Sequence, residues 1–178
     1  MIAYHDTEWG TPCYDDAKLF EYVVLDTMQA GLSWSIVLHK REAMRAAFAG
    51  FDAQEVSYFT EADVESLMAN PGIIRNRLKL KATVTNAQAF LAIQKEHSSF
   101  ARYIWQFVGG APLVHQYTHQ SHIGSTSPES DAMSAALKKQ GFKFVGSTIC
   151  YAFMQGAGLI NDHVVSCPRH EQCQREAT

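Results

Sequence analysis

Leu67-Met68-Ala69-Asn70-Pro71-Gly72-Ile73-Ile74-Arg75-Asn76-Arg77 decides how this chain folds. An apolar helical stretch stops at Asn70-Pro71-Gly72, and a second helix with basic residues follows. Pro cannot continue a helical hydrogen-bond ladder, and Gly tolerates backbone angles closed to other residues. The pattern predicts two helices joined by a tight hairpin, over about residues 61–81. N–H groups at a helix start favour an anion, and Arg or Lys in the first turns adds charge. Such a hairpin can dock one strand of a phosphate backbone through Gly72, Ile73 and Arg75. The same residues also fit an ordinary helix–helix turn with a solvated basic face.

Outward from the hairpin the chain reads as helical nearly throughout. Leu19, Phe20, Val23 and Val24 share one helical face after Asp15-Asp16. Ser33 is placed to cap a helix that runs through Ile36, Val37 and Met44 to Phe48 and stops at Gly50. Asp52 suits the start of a short helix, and Thr60-Glu61-Ala62-Asp63 resembles a capping sequence. A long amphipathic helix is predicted from about Ile74 to His97. Ser98 is placed to cap another over Phe100–Val108, and Ser130-Asp131 opens one that ends at Gly141. A last helix is predicted over Phe144–Gly156. The polar stretch from Ala111 to Ser127 reads as a surface loop. No strand alternation, internal repeat or linker is evident. The expectation is one all-α domain over 1–178 with a charged tail, about 168–178, that frays.

The 178 residues are 47% hydrophobic and 19% charged, the composition of a globular domain with a sizeable core. No apolar run is long enough to span a bilayer, and the first residues do not read as a signal peptide. The expected setting is the cytoplasm. A formal net charge of −3 does not itself suggest a nucleic-acid partner. Local basic clusters matter more, and Arg75, Arg77, Lys79 and Lys81 form one, with Lys138, Lys139 and Lys143 another. The four cysteines do not form a disulfide framework in such a chain, and Cys150 reads as a small buried hydrophobe.

Two further constellations carry chemistry. Asp26-Thr27-Met28-Gln29-Ala30-Gly31-Leu32-Ser33-Trp34 combines a helix end, a small-residue turn and a helix start. Asp26 supplies a carboxylate, Gln29 an amide and Trp34 a flat aromatic surface. With Tyr4, which one intervening helix separates from Trp34, they suit a pocket for a cationic purine. Gly31-Leu32 lies at the turn, where backbone can approach another molecule. These residues also fit an ordinary core with a solvated Asp. His163 and Cys167, spaced i and i+4, can share a Zn²⁺ on one helical face, with His5 joining them. Two hydrogen-bonded histidines and a free thiol fit equally.

Long blocks then resemble the bacterial 3-methyladenine DNA glycosylase I family. They are Ala3-Tyr4-His5-Asp6-Thr7-Glu8-Trp9-Gly10, Gln29-Ala30-Gly31-Leu32-Ser33-Trp34, Gly72-Ile73-Ile74-Arg75, Gly141–Tyr151 and Asn161-Asp162-His163-Val164-Val165. The resemblance implies an all-α, helix-hairpin-helix glycosylase fold and hydrolysis of the N-glycosidic bond of 3-methyladenine in alkylated double-stranded DNA. It implies base contacts from Tyr4, Trp34 and Gln29, DNA contacts from Gly31, Leu32, Gly72, Ile73, Arg75 and Lys143, and a monomer. It makes His5, His163 and Cys167 three of four structural zinc ligands. The fourth, a Cys, and one aromatic pocket residue come in that family from a segment preceding the position of Met1. Asp26 stands where the family usually has a Glu, with the charge kept and the reach one methylene shorter. It is assigned to electrostatic recognition at the catalytic site. No Asp occurs between Asp63 and Asp131, and the lysines after the hairpin match no lyase motif, so the expected enzyme is monofunctional. Two alternatives are a lesion-binding protein without turnover and a glycosylase of altered alkyl-base specificity.

Overall fold

The structure is a computed structural model that describes residues 1–177. It is all-α apart from one pair of two-residue strands. The helices are α1 (Ile2–Thr7), α2 (Asp16–Gln29), α3 (Trp34–Ala47), α4 (Ala53–Ser57), α5 (Glu61–Ala69), α6 (Arg77–His97), α7 (Phe100–Trp105), α8 (Pro128–Lys139), α9 (Ser147–Gly156) and α10 (Pro168–Glu176). Strand β1 (Leu113–Val114) pairs in parallel with β2 (Ile160–Asn161).

Helix α2 is the axis. Every residue from Leu19 to Met28 is buried, because α3, α6, α7 and α9 all pack on it. A helix enclosed on all sides must be apolar nearly all round, which makes its two buried carboxylates, Glu21 and Asp26, conspicuous. Phe20, Phe90 and Phe100 pin α2, α6 and α7 together, with ring centroids 5.1 and 4.2 Å apart.

Local capping fixes most helix starts. Asp15 accepts the Ala17 N–H, Asp52 accepts those of Gln54 and Glu55, and Thr60 and Asp63 form a reciprocal capping box. Each such cap stabilises its helix by about 1 kcal/mol. Several predicted boundaries move for the same reason. Helix α6 begins at Arg77, not near Ile74, because Asn76 accepts the N–H groups of Leu78 and Lys79. Ser98 ends α6 in a left-handed conformation (φ 72°), and Ser99 caps α7 instead. Ser127, boxed with Ser130, starts α8 three residues before the expected point. Phe144 has φ 56°, which no helix contains, so α9 waits until Ser147.

Two expectations fail more fully. The tail is not frayed at Pro168: α10 runs to Glu176 and buries His170 and Cys173. Its charged face is laced by Arg169–Glu176 and Arg175–Glu171 pairs. Gly72 does not need a left-handed angle. A Cβ there would sit 3.1 Å from Asn70 Oδ1 and 3.3 Å from Ala43 Cβ, so a side chain would have to push the Asn70 amide or α3 aside by a few tenths of an ångström.

Candidate functional site

Helices α1, α2 and α3 converge on one chamber. Asp26 comes from the enclosed half of α2, Gln29 is its last residue, Trp34 is the first of α3, and Tyr4 comes from α1. With Trp9, Ala152 and Gln155 they line a cavity of about 210 Å³. A wider cavity of about 630 Å³ shares Tyr4, Trp9 and Trp34 with it and reaches His5, His163 and Cys167. The Tyr4 and Trp34 rings are 5.3 Å apart at 55°, so they form one continuous aromatic wall. The Trp34 indole N–H is buried and has no acceptor among the described residues.

Asp26 is the chemical centre of this chamber. Burial alone holds its carboxyl well above the usual carboxylate range, with no cation among the described residues to offset it. Burial first, then Asp26 and Glu8, push the Tyr4 phenol above its ordinary value. On its other side Asp26 faces a tight apolar cleft with Val145, Ile149, Cys150 and Phe153. The Cys150 thiol is buried there, as its sequence context suggests, and burial pushes it up to about 12. Sequence reading treats Asp26 either as a ligand for a cation or as a solvated helix residue. The second of these is excluded by its enclosure.

His5, His163 and Cys167 come together, with their donor atoms all within 4.8 Å of one another. The i, i+4 spacing of His163 and Cys167 does not work through a helix. Residues 163–167 are a turn, closed by the Cys167 N–H on the Val164 carbonyl, and share no helical face. Cys167 Sγ lies 3.6 Å from His163 Nδ1 and 3.9 Å from His5 Nε2. A tetrahedral zinc ion would set such edges at about 3.6 Å. The other ring nitrogens are already engaged. His163 Nε2 meets the Trp9 carbonyl at 2.8 Å, and His5 Nδ1 meets Asp6 at 2.7 Å. Both bonds place the proton away from Cys167, which leaves the two inner nitrogens with free lone pairs. Burial lowers the His163 pKa, favouring the neutral imidazole that a metal needs. These donors therefore fit a soft divalent cation such as zinc.

The candidate DNA-facing residues divide. Gly31 and Leu32 form an exposed turn between α2 and α3, with Gly31 at φ 76°. Arg75 and Lys143 are exposed. Ile73 is only 2% exposed, so it can offer backbone but not its side chain. Gly72 is half-buried, and Lys40 donates to the Pro71 and Gly72 carbonyls at 3.1 Å. The basic cluster after the hairpin is thinner than the sequence suggests. Arg77 pairs with Glu65 and Lys81 with Glu61. Lys79 is buried and donates to the carbonyls of Met28 (2.8 Å) and Ala30, tying α6 to the end of α2.

Sequence reading missed the clamp that positions α1. Helix α1 buries none of its own residues. Glu8, at its end, receives both terminal nitrogens of Arg41 at 2.7 Å, and Lys18 at 3.0 Å. Arg41 also donates to Glu21 of α2 at 2.8 Å. Tyr4 and His5 are thus aimed through ion pairs whose members are far apart in sequence. No local pattern reveals them.

An all-helical domain with a base-sized chamber, an aromatic wall and an uncompensated carboxylate offers the features that recognition of a flat, positively charged ring would require. Residues 1–170 match the methyladenine glycosylase family, and the chain belongs to it. It is 52% identical over 166 residues to DNA-3-methyladenine glycosylase 1 of Escherichia coli (strain K12), covering 93% of this chain and 89% of that protein. A crystal structure of 3-methyladenine DNA glycosylase I (TAG) superimposes with a TM-score of 0.92 at 51% identity, over 94% of this chain and 92% of that one. A variant of such a glycosylase in complex with 3-methyladenine does so with a TM-score of 0.92 at 38% identity, over 94% and 90%.

Proposed function

We propose that this protein is a monomeric, cytoplasmic DNA-repair glycosylase that flips 3-methyladenine out of alkylated double-stranded DNA and releases it by hydrolysis. The observation that carries this reading is the Asp26 carboxylate, buried in a base-sized chamber without a cation of its own. Methylation at N3 makes adenine a cation in DNA. When it enters, Asp26 gains the positive partner the protein withholds, and its carboxylate accepts an N–H from the base as a charge-assisted hydrogen bond. Neutral adenine brings no charge, so it gives Asp26 no return for losing water. Tyr4 and Trp34 offer an aromatic wall, which suits an electron-poor ring. Gln29 adds an amide at the rim.

The bond to be broken is already weak. The C1′–N9 electron pair leaves with the base and cancels its positive charge. Water then bonds to C1′ and releases a proton, which leaves an abasic site. The protein extrudes the nucleotide, holds the base and keeps the chamber otherwise dry. Gly31 and Leu32 face the gap in the duplex. The hairpin of α5 and α6 acts as a helix-hairpin-helix dock, with backbone N–H groups of Gly72 and Ile73 and the Arg75 guanidinium on phosphates. Arg75 and Lys143 make no ion pair among the described residues, so their charge is available. His5, His163 and Cys167 would hold a structural zinc ion. Its contribution is a cross-link between α1 and the 163–167 turn, which steadies Tyr4 beside His5.

Purified protein incubated with methylated duplex DNA should release 3-methyladenine, identified by chromatography. Binding of the duplex without any released base would sink the enzymatic reading in favour of a lesion binder. Release of a different alkylated base would redirect the specificity. Metal analysis should find about one zinc per chain, lost on His163→Ala. A trace amount in the unaltered protein would remove the metal assignment.

A further inference from the structure

Phe144 is the strangest residue on the surface. Its φ of 56° is a left-handed conformation, which costs a side-chain-bearing residue about 1 kcal/mol, and the residue is 37% exposed. The turn is not free to relax. The buried Asn86 of α6 grips Lys143 from both sides, accepting its N–H at 2.7 Å and donating to its carbonyl at 3.0 Å. Asn86 also donates to Thr27, next to Asp26, at 3.2 Å. The next residue, Val145, forms part of the apolar cleft behind Asp26. One turn thus carries a fixed, outward aromatic ring at one end and a wall of the Asp26 region at the other.

Phe144 and Lys143 face α6 across a groove of about 420 Å³, whose other walls are Leu78, Lys81, Ala82 and Thr85. Leu78 is 71% exposed, an unusual setting for a leucine inside a regular helix. Apolar surface between two lysines suits a phosphate with the sugar or base attached to it. Glu61 pairs with Lys81, but no carboxylate pairs with Lys143 among the described residues. Strain at an exposed aromatic residue, held by a buried amide, points to a function for that ring.

We infer that Phe144, Leu78 and Lys81 extend the DNA contact expected of Lys143 into a second docking surface. It receives a phosphate and the adjoining deoxyribose or base of the duplex beside the extruded nucleotide. This rests on the glycosylase reading and adds to it a surface distinct from the hairpin turn at 70–73. Asn86 is the positioning residue that holds the contact in register with the base chamber.

Phe144→Gly tests it cleanly, because glycine adopts φ 56° without strain and the fold should melt no lower. Affinity for a duplex carrying a stable abasic-site analogue should fall roughly tenfold or more. Binding of free 3-methyladenine, read from tryptophan fluorescence, should not change. Phe144→Tyr should retain most duplex affinity. Lys143→Ala should weaken binding on all sequences and lower the salt slope by about 1. If wild type releases base while both Phe144→Gly and Lys143→Ala bind the duplex as wild type does, the contact is refuted and the glycosylase reading stands. A wild-type protein that binds no duplex overturns both.

Discussion

Glu21 and Asp26 are carboxylates on the same helix, one and a half turns apart, and 3% and 5% exposed. Their surroundings are opposite. Glu21 receives Arg41, Arg45 and Lys18. Burial works against its charge, but the Arg41 hydrogen bond and the charges of Arg41 and Lys18 outweigh it, and its pKa falls below the ordinary value. Among the described residues Asp26 receives no cation, and burial lifts it. A carboxylate that serves the fold arrives with its cations. On the proposed function, a carboxylate that serves a cationic ligand is left short of them, and the fold carries that cost until the ligand comes.

The largest effects should come from Asp26. Asp26→Asn keeps shape and removes charge, so release of 3-methyladenine from methylated DNA should fall about 100- to 1,000-fold, as for other charge-stabilising groups in dry sites. Stability should move the other way. The folded carboxyl keeps its proton to higher pH than the unfolded one, so wild type loses stability as pH rises above the ordinary value of 3.8. The amide escapes that loss. Asp26→Asn should melt higher than wild type at neutral pH, with the gain fading below pH of about 4. Unchanged turnover, or a lower melting temperature at neutral pH, would erase the contrast with Glu21.

Glu21 should give a large effect of the reverse kind. Glu21→Gln takes from Arg41 and Arg45 their shared buried carboxylate, while Arg41 keeps Glu8 and Arg45 keeps Glu42, so the loss should be about 1–3 kcal/mol. Thermal and urea denaturation should both register it. Binding of free 3-methyladenine by the molecules that remain folded should change little, because Glu21 does not line the chamber. A variant as stable as wild type would mean that the cations, too, can do without their partner.

These two residues also show what a sequence can and cannot disclose. The hairpin at Asn70-Pro71-Gly72 and the caps at Asp15, Asp52 and Thr60 were legible, because each acts within a few residues of itself. The cap expected at Ser98 fell one residue away at Ser99, because Ser98 takes the left-handed angle that ends α6, and sequence does not disclose that angle. The pocket residues Tyr4, Asp26, Gln29 and Trp34 were legible as types and share one chamber. Their contrast with Glu21 was not legible, since both are single acidic letters in an apolar helix. What separates them is Arg41, distant in sequence and placed by α3 folding back on α2. The parallel pairing of Leu113–Val114 with Ile160–Asn161 was hidden for the same reason, and two residues show no alternation. His163 and Cys167 were found through their spacing, although a turn and not a helix closes the gap.

Glu8 offers the finest test of the comparison, because it belongs to the Glu21 cluster but stands at its edge. Burial raises its pKa, yet the hydrogen bonds and charges of Arg41 and Lys18 bring it from 4.5 to about 2. A depressed carboxylate stabilises the fold above its unfolded value and loses that contribution as pH falls through its folded one. Wild type should therefore lose stability between pH 4.5 and about 2, a window in which Asp26, still protonated, contributes little change. Glu8→Gln should flatten the acid limb of an unfolding free-energy titration and lower its neutral plateau by about 1–2 kcal/mol, the worth of a partly exposed charge-assisted bond. Because Glu8 anchors α1, the same variant should weaken binding of free 3-methyladenine through Tyr4, about two- to fivefold for a loss under 1 kcal/mol. Glu21→Gln tests stability alone, whereas Glu8→Gln should move stability and binding together. An acid limb as steep as that of wild type would mean that Arg41 holds α1 without drawing on the charge of Glu8.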